Sequence, residues 1–158
     1  MPFLGIITNQ KNEEYMKKML SDYFPIDHII YITEKNIANI KNVRFETILI
    51  DKNISYKEEM KRLISNAKYI ILNSDLMIDL KILEDLNLNV ITYGFNNKAT
   101  FTVSSITESD MIICLQRIIY DIFNDKYEPQ EFELKTEENI DITAIMGQFC
   151  VRVLYVKK

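Results

Sequence analysis

The chain has 158 residues, a length that suits one domain with a sizeable core. Hydrophobic residues make up 47% of it and charged residues 27%, which excludes a disordered composition. The net charge of −4 opposes general nucleic-acid binding, which needs a concentrated positive surface. No basic segment precedes an apolar run at the start, and the apolar stretches are too short to cross a bilayer, so we expect a cytoplasmic protein without a membrane partner.

The chain carries few of the side chains that usually bind metals or act as nucleophiles. His28 is the only histidine, which excludes a metal site built from several histidines. Cys114 and Cys150 match no zinc or redox spacing and lie among apolar residues, so we interpret them as buried, reduced thiols. The sequence therefore predicts no metal and no cofactor.

Short apolar runs alternate with amphipathic segments over the first half of the chain. The apolar runs predict five strands, at residues 3–8, 28–33, 45–50, 69–72 and 89–93. The amphipathic segments predict three helices, at residues 12–24, 55–66 and 75–86. Strands that are apolar throughout and separated by helices indicate a parallel sheet covered on both faces. We therefore predict a single α/β domain over residues 1–158, with a Rossmann-like, mainly parallel sheet and helices on both faces.

The pattern changes after Gly94. Residues 100–104 alternate in the way that a strand does. Residues 111–123 support two interpretations, since their isoleucine and leucine spacing suits a helix, whereas their β-branched and aromatic residues favour a hairpin that turns near Asn124. The apolar tail at residues 142–156 is equally open when it is judged on its residue pattern alone.

Polar residues follow several of the predicted strands, at the point where each strand ends. Ligands of open parallel sheets bind at the carboxyl ends of the strands. The candidate nucleotide-binding residues at these ends are Thr8, Asn9, Lys11, Asn73 and Asp75. The alternative is that Asn9 and Asn73 cap loops and that Lys11 is solvated. Acid–base catalysis by Asp51 and Asp75 has little support, because acidic residues are common at strand ends, so we predict no catalytic residues.

The segment between the first predicted strand and the first predicted helix reads GIITNQKN, at residues 5–12, and is compared with the phosphate-binding loop G-x-x-x-x-G-K-[ST]. Gly5 and Lys11 have the required spacing. Gln10 replaces the second glycine, whose lack of a side chain allows close backbone approach to phosphate. Asn12 replaces the hydroxyl that binds Mg²⁺, and two glutamates follow it. The loop therefore predicts that the protein is not an ATPase.

Three stretches resemble the end of the central, ATP-binding domain of Mur ligases, the amino-acid-adding enzymes of peptidoglycan synthesis. They are AKYIILNSD at residues 67–75, NVITYGFN at residues 89–96 and ATFTV at residues 99–103. The TYGFN run is the most specific of them. The TNQKN run at residues 8–12 is similar to the family's T-N-G-K-[TS], with its glycine and its hydroxyl replaced.

The resemblance implies that residues 111–134 form a β-hairpin and that residues from 142 onward form a terminal helix, and we adopt both as predictions. It covers most of residues 3–105 but omits the family segment that carries the Mg²⁺-binding side chains and the modified lysine. The two flanking catalytic domains do not fit in 158 residues. The resemblance thus implies a stand-alone, degenerate and non-catalytic module, a regulatory protein that binds a nucleotide or UDP-sugar weakly. The abundance of asparagine, lysine and isoleucine separately suggests a bacterial source.

The alternative function is an interaction or scaffold protein that forms homo-oligomers or binds a partner protein through its apolar C-terminal region. A small sheet is expected to leave part of so apolar a tail uncovered, and uncovered apolar surface marks docking sites. The residues that motivate this hypothesis are Phe149, Val151, Val153, Leu154 and Tyr155.

Overall fold

The computed structural model describes residues 2–55, 57–76 and 89–157, which form an α/β fold built on a mostly parallel mixed sheet. In chain order the strands are β1 (Phe3–Ile7), β2 (Ile29–Tyr31), β3 (Phe45–Ile50), β4 (Tyr69–Asn73), β5 (Asn89–Gly94), β6 (Phe101–Ile106), β7 (Asp110–Leu115), β8 (Ile119–Tyr120), β9 (Lys126–Tyr127) and β10 (Gln130–Lys135). The α-helices of the described residues are α1 (Glu13–Leu20), α2 (Lys57–Ser65) and α3 (Ile142–Tyr155), and short 3-10 helices occupy Gln10–Asn12, Ile26–His28 and Ile37–Asn39.

The strands of the main sheet lie in the order β10-β7-β6-β5-β4-β3-β1-β2. Neighbours from β2 to β6 are parallel, whereas β7 is antiparallel to both β6 and β10. β8 and β9 pair with each other in a separate antiparallel ribbon. All five strands predicted for the first half are present, and β3 has its predicted bounds. The predicted fold class is therefore confirmed.

Alternate side chains of the central strands enter two different cores, as the two-residue repeat of a strand requires. Leu4 and Leu49 contribute to the core beneath α1 and α3. Ile48 and Ile70 contribute to the core beneath α2 and the 3-10 helix at Ile37–Asn39. Because both faces of these strands are buried, most of their positions are apolar, and this explains why the strands read as nearly continuous apolar runs. The buried Thr47 of β3 is an exception, and its hydroxyl is hydrogen-bonded to the Tyr155 hydroxyl at 2.6 Å.

The segment after β6 forms the predicted hairpin and not a helix. β7 and β10 pair antiparallel along their whole length. The β8–β9 ribbon lies in the connection between them and turns at Asn124, whose φ of +64° lies in the left-handed region that asparagine tolerates. Met111, Ile113 and Leu115 are each at most 1% exposed, so alternate residues are buried, and this two-residue repeat outweighs the helical spacing of the isoleucines.

The terminal helix α3 is also confirmed, and it is buried on nearly all sides, with 11 of its 14 residues shielded from solvent. It packs on β4 and β5, and Gly147 is the residue that allows the close approach. A Cβ at Gly147 would lie 2.7 Å from the Tyr93 hydroxyl oxygen and 3.0 Å from the Leu49 Cδ1. A larger residue at this position would push α3 away from the sheet.

The interaction hypothesis expects part of the apolar tail to be uncovered, whereas the structure buries the residues that motivated it. All five tail residues are buried, with exposed fractions between 0% and 8%: Phe149, Val151, Val153, Leu154 and Tyr155. They are covered because α3 packs between the sheet and α1, and because the Ile122 N–H donates to the Leu154 carbonyl and so ties the residues after β8 to the end of the helix.

Several predicted element boundaries differ from the structure. α1 ends at Leu20 instead of residue 24, because the N–H groups of Tyr23 and Phe24 turn back to the Leu20 carbonyl. β2 is shorter than predicted, since the 3-10 helix at Ile26–His28 takes its first residue. The predicted helix at 75–86 lies outside the described residues from position 77 onward. In the part of the chain that the structure describes, no helix combines the length and apolar character needed to cross a membrane.

Candidate functional site

The carboxyl ends of β1, β3, β4 and β5 meet at one edge of the sheet, as the parallel topology requires. Thr8 follows β1, Asp51 follows β3 and Asn73 ends β4. These three side chains are 6%, 5% and 4% exposed. Buried polar groups must find partners inside the protein, so this edge contains a hydrogen-bonded network instead of an open row of polar side chains.

Asp51 is the centre of this network. Its Oδ2 accepts a hydrogen bond from the Thr8 hydroxyl at 2.9 Å, and its Oδ1 accepts one from the Tyr93 hydroxyl at 2.5 Å. The Asn73 side-chain amide donates to the Asp51 carbonyl at 3.4 Å. Burial raises the pKa of the Asp51 carboxyl to about 6, although the hydrogen bonds from Tyr93, Thr8 and Thr143 oppose the rise. Asp51 therefore joins β1, β4, β5 and α3 through one buried acid.

The second carboxylate of the site is Asp141, the residue before α3. Its Oδ2 accepts hydrogen bonds from the side-chain amides of Asn9 at 3.1 Å and Asn12 at 3.0 Å. Its Oδ1 lies 2.8 Å from the Lys11 ammonium. The bond from Lys11, followed by that from Asn12, lowers the pKa of Asp141 to about 2. Asp141 is therefore ionised at neutral pH, and the polar side chains of the loop after β1 converge on it.

Asn12 connects the two carboxylates. It is fully buried, and its amide donates both to Asp141 and, at 3.2 Å, to the Thr8 hydroxyl, which in turn donates to Asp51. Its carbonyl oxygen accepts the Asp141 backbone N–H at 3.3 Å. The residue that replaces a Mg²⁺-binding hydroxyl in the phosphate-loop pattern thus holds the loop against the start of α3.

Asp75 takes a different role from the one expected for a nucleotide site. Its carboxylate accepts the backbone N–H groups of Phe95 at 2.8 Å and Asn96 at 3.1 Å, so it fixes the loop after β5. A Cβ at Gly94, whose φ is +151°, would lie 2.6 Å from the Asp75 Oδ2. Only glycine permits both this backbone conformation and this contact. The glycine of the TYGFN run is therefore explained by the close contact between Gly94 and the Asp75 carboxylate, which also binds the two residues that follow it.

The loop after β1 is shorter than the phosphate loop with which its sequence is compared. Gly5 lies inside β1, where it pairs with Ile30 and Ile48, and a Cβ there would lie 2.8 Å from the Ile32 Cδ1. Thr8 and Asn9 alone separate β1 from the 3-10 helix at Gln10–Asn12. Gly5 is thus needed for packing between strands, and its spacing from Lys11 does not mark a phosphate loop.

The structure brings together three of the five candidate residues around two acids. Thr8, Asn9 and Lys11 meet through Asp51 and Asp141. The Asn73 side chain instead donates to the Asp51 carbonyl and accepts the Asp75 backbone N–H, and the Asp75 carboxylate binds a separate loop. The prediction omitted Asn12, Tyr93 and Asp141 from the site. The only sequence signal for Asp141 is its position just before the apolar tail, which suits a helix N-cap.

The arrangement offers groups that can bind an anion, the Asn9 amide and the Lys11 ammonium. Both Asp51 oxygens are used inside the protein, so this acid is not open to a substrate. Across residues 2–55, 57–76 and 89–157, no three or more acidic, histidine or cysteine side chains are grouped to hold a metal ion. Both thiols are free: Cys150 is buried as predicted, and burial raises its pKa, whereas Cys114 is half-buried.

Comparison with known proteins adds no relative. The sequence matches none of the protein-family models compared with it, and a search of curated proteins also gives no match. The contacts within the chain are therefore the basis for assigning it a function.

Proposed function

We propose that the chain is a non-catalytic, Mur-ligase-like regulatory module in which the phosphate of a nucleotide or UDP-sugar competes with Asp141 for the loop after β1. The observation that carries the proposal is the convergence of Asn9, Lys11 and Asn12 on the Asp141 carboxylate. Two amide donors and one ammonium around a single anion form a set that also suits a phosphate oxygen. Asp141 supplies that anion from within the chain.

The absence of turnover follows from the same residues. Asn12 contributes no hydroxyl for Mg²⁺, and it is fully buried between Thr8 and Asp141. Glu13 and Glu14 open α1, and their negative charge close to the loop after β1 opposes a bound triphosphate. These features support ligand binding without hydrolysis. A cytoplasmic location, where nucleotides and UDP-sugars are present, fits this proposal.

A regulatory role follows from the position of Asp141 at the start of α3. A phosphate that takes its place at Lys11 displaces the carboxylate of the residue that precedes α3, together with its bonds to Asn9 and Asn12. The Lys11–Asp141 pair is partly exposed, with side-chain exposed fractions of 55% and 32%, and pairs of this kind contribute about 0–1 kcal/mol. Competition against so small an energy allows weak binding, and it couples binding to the position of α3.

Calorimetric titration with ATP, ADP and UDP-N-acetylglucosamine tests the proposal. Asp141→Asn removes the competing charge, and we expect it to tighten binding of at least one of the three by about tenfold or more, equivalent to about 1.4 kcal/mol. Lys11→Met in the same background should remove the gain. Tighter binding follows because the donors of the loop are no longer held by an anion of the chain.

Asp110→Asn is the matched control. The Asp110 side chain is 32% exposed, like that of Asp141, and its carboxylate lies 2.7 Å from the Lys135 ammonium. The two residues belong to β7 and β10, which are separated from β1 by several strands. The Asp110→Asn variant should bind all three compounds as the unchanged protein does. Absence of heat from both the unchanged protein and Asp141→Asn overturns the proposal, and so does equal tightening by Asp110→Asn.

A further inference from the structure

A cavity of about 440 Å³ lies at the opposite edge of the sheet, where β4 and β5 begin. The β8–β9 ribbon forms its other wall. Its lining includes Tyr69, Asn89, Val90, Tyr120, Asp121 and Asn124. The volume is in the range that small-molecule sites occupy. None of these side chains takes part in the network of Asp51 and Asp141.

Asp121 is the unusual residue of this lining, since it is an acid that is only 3% exposed. Its Oδ1 accepts the backbone N–H groups of Phe123 at 2.9 Å and Asp125 at 2.8 Å and so closes the turn of the ribbon. Its Oδ2 is shielded from solvent and accepts no hydrogen bond from the described part of the chain. A buried carboxylate oxygen without a partner is unfavourable, because it has lost water and gained nothing in exchange.

Two lysines lie within two residues of the cavity residues in sequence, Lys68 beside Tyr69 and Lys126 two positions after Asn124, and both have contacts of their own. The Lys68 ammonium lies 5.5 Å from the centre of the Tyr69 ring. The Lys126 ammonium lies 3.3 Å from a Glu128 carboxylate oxygen. The charge of Asp121 still acts on its surroundings, since burial and then the charges of Asp121 and Asp125 raise the pKa of Tyr127. The cavity wall thus carries negative charge, which suits a cation brought from outside.

The remaining lining specifies what kind of cation fits. The rings of Tyr69 and Tyr120 attract cations through their faces, and the carboxamide oxygens of Asn89 and Asn124 accept N–H bonds. Val90 offers an apolar contact to a ligand body. Among the residues that the structure describes, no cluster of three metal-ligating side chains exists, so the lining does not suit a divalent ion. We propose that this cavity binds a small organic primary amine, with its ammonium group beside Asp121 and its alkyl chain against Val90 and the tyrosine rings.

Titration with n-butylammonium and with 1-butanol, followed by NMR of the Asn89 and Asn124 side-chain amides, tests the site directly. The two probes have nearly the same shape and differ in charge. We expect butylammonium to shift both amide signals in a saturable manner, and butanol to do so at least about tenfold more weakly. Equal binding of the two probes, or no saturable shift from butylammonium, overturns the proposal without any variant.

Asp121→Asn separates the charge from the turn, because an asparagine Oδ1 still accepts the Phe123 and Asp125 N–H groups. It should weaken butylammonium binding by about tenfold or more. Asp125→Asn removes a charge from the same ribbon, where Asp125 bonds through its backbone, and should leave binding within about twofold. A short lysine-containing peptide distinguishes a partner protein's side chain from a free amine. Binding of the peptide without binding of butylammonium contradicts a small-molecule site, as does unchanged binding by Asp121→Asn.

Discussion

The two edges of the sheet differ in how completely their acidic side chains are hydrogen-bonded within the protein. At the carboxyl ends of the strands, both Asp51 oxygens and both Asp141 oxygens have partners within the chain. At the amino ends, one oxygen of Asp121 has partners and the other has none among the described residues. An acid with both oxygens bonded has its hydrogen-bonding capacity met within the fold, whereas the unpartnered oxygen of Asp121 is the group that our proposal assigns to a ligand. The acids at the carboxyl ends of the strands, the edge that sequence patterns identify, are therefore more completely hydrogen-bonded than Asp121 at the other edge.

The largest expected effect comes from breaking the satisfied edge at Tyr93. Tyr93→Phe removes the hydroxyl that donates to the Asp51 Oδ1 and leaves a buried carboxylate oxygen without that donor. We expect the free energy of unfolding to fall by about 1.5–3 kcal/mol at neutral pH, the range for hydrogen bonds to charged groups. Urea unfolding followed by circular dichroism measures the change.

Tyr120→Phe is the control for this experiment. Tyr120 is 53% exposed at the opposite edge, so the loss of its hydroxyl should change the free energy of unfolding by less than about 0.5 kcal/mol. Equal effects of the two substitutions would show that the lost bond to Asp51 does not account for the loss of stability in Tyr93→Phe.

The next effect is a pH dependence that belongs to Asp51. Burial raises its pKa from 3.8 to about 6 in the folded protein, so between these values the folded state holds more protons than the unfolded state. Stability should therefore fall as the pH rises from about 4 to about 6, by up to about 3 kcal/mol at 1.36 kcal/mol per pKa unit. Asp141 acts in a lower window, since its depressed pKa contributes stability that is lost as the pH falls from about 4 towards 2.

Urea unfolding of the unchanged protein and of Asp51→Asn at pH values of about 4, 5, 6 and 7 separates the two acids. The asparagine can still accept from Tyr93 and does not titrate, so the decline between pH 4 and 6 should disappear. If the stability of Asp51→Asn still falls between pH 4 and 6, another titrating group is responsible for the decline.

The fold was predictable from the sequence because its signals are local. Each central strand is buried on both faces, so its apolar run identifies it without knowledge of its neighbours, and β3 was placed at its observed bounds. Residues 111–134 were harder, since isoleucines of alternating burial also satisfy helical spacing. The choice of a hairpin depended on the resemblance to Mur ligases.

The candidate site was less predictable because its bonds join distant parts of the chain. Asn9 and Lys11 were identified by their position after a strand, but their partner Asp141 lies 132 and 130 residues away from them. Gly5 had the spacing of a phosphate loop for an unrelated reason, the contact between β1 and Ile32. Local spacing therefore located the edge of the sheet correctly but could not show that the chain fills it with its own anion.

The smallest effect, and the sharpest contrast between the edges, is expected at Asp121. Asp121→Asn keeps an acceptor for the two N–H groups of the turn and removes a buried charge whose Oδ2 has no partner in the described part of the chain. Removing such a charge relieves a desolvation cost, so we expect the free energy of unfolding to rise by about 1 kcal/mol, where Tyr93→Phe lowers it. Asp125→Asn, in the same ribbon, should stay within about 0.5 kcal/mol of the unchanged protein. Denaturant unfolding of all three variants in one buffer compares the edges directly. A loss of stability in Asp121→Asn would mean that its carboxylate is as well satisfied as Asp51, and the contrast between the two edges would then be lost.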